Sequence, residues 1–95
     1  MKQEIFNTYV NRVLRIMNID KEILFSRSKK REATEARQIL VWLCEQRPIR
    51  RVFIKKYMEE NGYNISYNDI SYCIKSIDNK IENDADYSII LNKII

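Results

Sequence analysis

Ninety-five residues carrying 17 basic and 13 acidic side chains, no histidine, one glycine and one proline make one small, net-positive domain. So little turn material disfavours a sandwich or barrel and favours helices. Gly-rich, Ser-rich and Pro-rich stretches, internal repeats and a linker are all missing. The N-terminal Met1-Lys2-Gln3-Glu4 lacks the apolar run of a signal peptide, and no stretch reaches the roughly 18 apolar residues of a membrane span. A cytoplasmic protein is therefore expected.

Five helices and one short turn are predicted from apolar spacing. The first covers about Gln3 to Met17, with Ile5, Phe6, Tyr9, Val13, Ile16 and Met17 inward. Asp20 is expected to cap a turn through Ile23 and Leu24. The second helix is predicted from near Ser28, as its cap, to near Gln46, with Ala33, Ala36, Ile39, Leu40, Leu43 and Cys44 as its stripe. Pro48 suits the first turn of a third helix, about Pro48 to Asn61, burying Ile49, Val52, Phe53 and Tyr57. Gly62 stands where a helix end wants a left-handed residue. Ser66-Tyr67-Asn68-Asp69 has the capping-box form and opens a fourth helix along Ile70, Ile74, Ile77 and Ile81. A last helix is predicted from about Asp84 to Ile95, with Tyr87, Ile90, Leu91 and Ile94 inward. Cys44 and Cys73 fall in apolar stripes and read as buried thiols in a reducing compartment.

The charge is unevenly spread. Residues 27–56 hold ten basic side chains (Arg27, Lys29, Lys30, Arg31, Arg37, Arg47, Arg50, Arg51, Lys55, Lys56) and three acidic ones (Glu32, Glu35, Glu45), a net of +7. The whole chain is +4, so the remainder is −3. A basic middle with acidic flanks is the footprint of a polyanion partner. The third helix, the turn with Gly62 and the fourth helix have the layout of a helix-turn-helix over about residues 48–82. In that motif the N-terminal residues of the second helix lie at base edges in the major groove.

The basic loop Ser26-Arg27-Ser28-Lys29-Lys30-Arg31, followed by Glu35-Ala36-Arg37-Gln38, resembles the C-terminal DNA-binding domain of the DnaA replication initiators. There a similar basic loop runs into a helix containing Glu-Ala-Arg-Gln. Cys73-Ile74-Lys75-Ser76-Ile77-Asp78 and Asn83-Asp84-Ala85-Asp86-Tyr87 are similar to that family's last long helix and tail. The resemblance covers nearly the whole chain. It implies an all-α domain of five to six helices, Trp-repressor-like, that binds double-stranded DNA in replication or regulation. The sixteen isoleucines, nine lysines and nine asparagines are the usage of an AT-rich genome, so a phage or mobile element is the expected owner.

Two departures narrow the expectation. The family's recognition helix opens with Asp-His-Thr-Thr, whereas Ser66, Tyr67, Asn68 and Asp69 stand here, and the connection before that helix is longer. Where the family inserts an arginine into the minor groove stands Lys29, which keeps the charge without the planar fork. The resemblance thus implies duplex binding without implying the initiator's own DNA box. The expected backbone contacts are Arg27, Lys29, Lys30, Arg31, Arg37, Arg50 and Lys55, with Lys56 and Arg51 as neighbours. The expected base contacts are Tyr67, Asn68, Ser71, Tyr72 and Lys75. A structural reading of the tyrosines as half-buried packing stands beside this.

Nothing in the sequence points to an enzyme or a cofactor. A phosphate-cradling Gly-x-x-x-x-Gly-Lys loop is missing, and two cysteines without histidine cannot close a structural zinc site. Glu82, Asp84 and Asp86 read as negative charge at the start of the last helix rather than as a metal site. Trp42 reads as core or interface. The alternative to DNA binding is a protein-interaction scaffold, in which the altered tip of the fourth helix meets a host replication factor or virion component.

Overall fold

The computed structural model describes residues 2–94, and these form six helices with no strand among them. They are α1 (Lys2–Met17), α2 (Lys21–Leu24), α3 (Arg31–Gln46), α4 (Arg51–Glu60), α5 (Tyr67–Asn83) and α6 (Ala85–Ile94). The all-α expectation holds. The inward placement expected of the Ile94 side chain, and a helix reaching Ile95, lie outside what is described.

The chain folds around α3. Its run from Ala36 to Cys44 is buried on every side, as a helix surrounded by others must be. α5 and α1 flank it, with α2 and α4 against its ends and α6 across α1 and α5. The predicted stripe of α3 is buried throughout, and Arg37, Gln38, Val41 and Trp42 join it. Trp42 closes the seam with α5 by donating its indole N–H to Asp78 Oδ1 at 2.8 Å. In α5, Ile70, Ile74 and Ile77 are buried and Ile81 packs against the core. Among the described residues both thiols are free and buried; desolvation pushes Cys44 up to about 12 and, as the largest cause, Cys73 up to about 11.

Several boundaries and faces differ from the expectations. Ser28 does not cap α3, which starts three residues later with Lys30 at its N-cap and no side-chain cap bond. Ser28 is otherwise engaged: its Oγ accepts from the Lys30 N–H, and its carbonyl accepts from Arg37. Asp20 precedes α2 but makes no side-chain cap bond; its carbonyl accepts from the Ile23 and Leu24 N–H groups. Pro48 does not enter α4. The chain leaving α3 folds back so that the Ile49 N–H reaches Cys44 O at 2.7 Å and the Ile49 side chain is buried. Arg50 stays extended, and the helix begins only at Arg51.

Three residues expected inside are exposed: Ile16, Val52 and Ile90. α4 buries Ile54, Tyr57 and Met58 instead, and α1 uses Val10. For Ile16 and Val52 these are errors of helical phase near helix ends, where a contact strip drifts off the core; Ile90 lies midway along α6, where Tyr87 and Leu91 take the buried face. Ser66 and Asp69 form the predicted capping box, each side chain accepting the other's backbone N–H at 3.0 and 3.1 Å. Gly62 ends α4 with φ +91°, a conformation that a side chain would strain. Asp84 precedes α6 and accepts the Asp86 N–H, holding negative charge at that helix start.

Candidate nucleic-acid interface

α5 is the element around which the predicted site residues gather. Its capping box fixes where it starts and so which side chains stand in its first two turns. Tyr67 and Asn68 are exposed there, and Tyr72 is 67% exposed one turn later. Lys75 is exposed on the same face. Ser71 is half-buried, because its hydroxyl accepts from Arg51 at 2.7 Å. Neither tyrosine belongs to the core: Tyr67 is 48% exposed, as the half-buried reading has it, and Tyr72 is the more open of the two.

One flank of α5 is lined by the basic loop. A cleft of about 290 Å³ separates loop residues Arg27 and Lys29 from Asp69, Tyr72 and Cys73 on α5, with Thr34, Arg37, Gln38, Tyr63 and Ile65 completing its walls. It continues into a second cleft of about 330 Å³, where Lys29 and Arg31 face Tyr72, Ser76 and Lys80. Asp69 to Lys80 is 11 residues, so these clefts follow α5 for about 16 Å at 1.5 Å per residue.

The other flank is lined by α4. Arg51 reaches Ser71 while paired with Glu45 at 3.0 Å. Lys55 pairs with Glu59 and donates to the Ile65 carbonyl at 2.8 Å, and its ammonium lies 5.9 Å from the Tyr67 ring centre. Lys55 therefore ties the connection between α4 and α5 to α4. At the start of α5 a third depression, about 270 Å³, is bordered by Arg27 from the loop and Lys55 from α4. Cations thus stand on both sides of the N-terminal half of this helix.

Arg27, Lys29, Lys30, Arg31 and Arg50 are exposed, as a phosphate contact requires. Arg37 corrects the expectation. It is 6% exposed, and its guanidinium is taken up by the carbonyls of Ile23, Leu24, Ser26 and Ser28. It faces into the protein and holds the loop from behind. Lys80, Ser76 and Gln38 line the clefts yet were not singled out from the sequence. Lys80 lies four residues beyond Ser76 and so shares its helical face, and Gln38 belongs to the Glu35–Gln38 motif. Ser76 gave no signal; its hydroxyl donates to Gln38 Oε1 at 3.2 Å across the α3–α5 seam.

A smaller network joins three helices at the second cleft, whose wall includes Glu35 and Lys80. Lys80 lies 3.6 Å from Glu35, and Tyr87 donates to Glu35 at 3.4 Å. Burial, and then the adjacent Glu35, raise the Tyr87 phenol above its ordinary range. Among the described residues no group of three or more Cys, Asp or Glu side chains is arranged to hold a metal ion. No described helix is long and apolar enough to cross a membrane.

Set against known protein families, curated proteins and solved structures, the chain matches none of them.

Proposed function

We propose that the chain is a duplex DNA-binding domain of the kind that the DnaA-like loop and the Glu35–Gln38 motif resemble. In this reading α5 enters the major groove, and it serves a regulator or replication accessory, with a phage or mobile element as its owner. The observation that carries this reading is the placement of cations on both flanks of α5. An α-helix fills a major groove, and the phosphates then run along its two sides. Arg27, Lys29 and Arg31 meet one strand, Lys55 and Arg51 the other, while Lys30 and Arg50 add exposed charge nearby. Asn68, Tyr67, Tyr72 and Lys75 occupy the outward face between them, and Ser71 borders it. Phosphate contacts of this kind position the protein, and the outward face of α5 supplies any sequence preference.

The test is a mobility-shift titration of the chain against random-sequence duplex at two salt concentrations. Binding that weakens steeply with salt is expected, because each neutralised phosphate releases condensed counterions. No shift at low salt rejects the reading. It would leave the exposed tip of α5, with Tyr67, Asp69 and Tyr72, as a surface for a protein partner.

A further inference from the structure

The basic loop has little local structure of its own. Its internal ties are short-range: Ser26 Oγ donates to Ile23 O, and the Ser28 and Lys30 N–H groups donate to the hydroxyls of Ser26 and Ser28. The long-range tie is Arg37, six residues into α3. Nη1 donates to Leu24 O and Ser26 O at 3.1 Å each and to Ile23 O at 3.5 Å, and Nη2 donates to Ser28 O at 2.6 Å. The guanidinium also lies 4.8 Å from the Tyr63 ring centre. Among the described residues it forms no ion pair with a carboxylate, so carbonyl dipoles balance its charge. Only a planar fork of five N–H groups gathers so many carbonyls from one point. Two of the held carbonyls, those of Ser26 and Ser28, belong to the residues on either side of Arg27, and the second directly precedes Lys29.

We infer that Arg37 is a positioning residue for nucleic-acid binding: it presets the 23–28 backbone so that Arg27 and Lys29 already stand at the flank of α5, and it neutralises no phosphate itself. This rests on the duplex-binding reading. A loop held before binding does not have to be ordered by the ligand, and that saving appears as affinity.

Arg37→Lys separates the two roles, since it keeps the charge and loses the fork. Two measurements are needed: duplex affinity across a salt series, and the rate at which trypsin nicks the loop at Arg27–Arg31 well below the unfolding temperature. Affinity is expected to fall about tenfold on every duplex with an unchanged salt slope, as a lost preorganisation should. Nicking is expected to accelerate at least tenfold. A lysine-substituted chain that binds and is nicked like the wild type overturns the proposal. In the companion variant Arg37→Gln, a slope flattened by about 0.9 with nicking at the wild-type rate would make Arg37 a phosphate ligand and would overturn it too. Should both variants fail to fold, Ser28→Gly serves: it loosens the loop and leaves the Arg37 charge in place. Faster nicking with a parallel loss of affinity is then expected, and faster nicking at full affinity sinks the idea. A wild-type chain that binds no duplex rejects the DNA-binding reading and the role in binding with it. The nicking rates would still report separately whether Arg37 holds the loop.

Discussion

Replacing Lys29 and Arg31 together by alanine removes the two loop cations that face Tyr72, Ser76 and Lys80 across the second cleft. Lys30 sits between them in sequence but lines neither of the clefts along α5, although it too is exposed. The structure therefore divides a run of three cations into two that line the clefts along α5 and one that does not, and under the duplex-binding proposal only the first two are expected to meet a phosphate strand. Each phosphate contact contributes about 0.9 to the slope of log K against log salt. The double variant should flatten the slope by about 1.8, and Lys30→Ala by well under 0.9. Between 50 and 200 mM salt, a slope difference of about 1.8 corresponds to a roughly 12-fold difference in how much affinity is lost. Fluorescence anisotropy with a labelled random duplex over that range measures both slopes. Equal flattening per residue for all three cations would refute the division, since it would mean that the loop acts only as diffuse charge. An unchanged slope for the double variant would remove the loop from the interface.

Further outcomes follow from packing and capping. Ile77 has no solvent exposure, so Ile77→Ala should cost roughly 2–5 kcal/mol in chemical denaturation, with Ile74→Ala, 8% exposed, toward the lower part of that range. Ser66→Ala breaks the capping box and should lower stability by about 1 kcal/mol, with a selective gain in amide exchange in the first turn of α5. Asn68→Ala should leave stability unchanged and relax one or two positions of any site selected from a random duplex pool, since an Asn–adenine pair is worth about 1–3 kcal/mol of discrimination; identical selected sites for both proteins would clear Asn68 of base reading. The Cys44 thiol ionises near 9 when unfolded and at about 12 when folded, so its burial supports the fold fully below pH 9 and progressively less as pH rises toward 12. Cys44→Ala should flatten the fall in stability over that window, measured by denaturation at stepped pH.

The parts of the fold legible in the sequence are those where local chemistry and packing agree. Ser66 and Asp69 cap α5 wherever the rest of the chain lies, and the isoleucines behind them recur at helical spacing, so its start and buried face were both readable. Gly62 was readable for the same reason. The start of α3 was not, because Ser28 is a good local cap whose carbonyl is claimed by a residue nine positions away. The entry to α4 was misread because burial of Ile49 overrides the preference of Pro48 for a first helical turn. Within the site, exposure of Tyr72 and Asn68 followed from helical phase. Arg37 could not be assigned from its type: an arginine in a basic segment looks like a phosphate ligand until its carbonyl partners are seen.

Trp42 gives the molecule an internal reporter. It is the chain's one tryptophan, and its indole is tied to Asp78, nine residues along α5 from Asp69 at the tip, or about 13 Å at 1.5 Å per residue. The ring itself is buried in the α3–α5 seam, so a ligand on the outer face of α5 has little direct contact with the fluorophore. A shift in its emission as duplex is added would record a change in how α3 and α5 are seated against each other. An emission that stays constant through saturation would mark the site as a rigid surface, docked without repacking of the seam on which it is built.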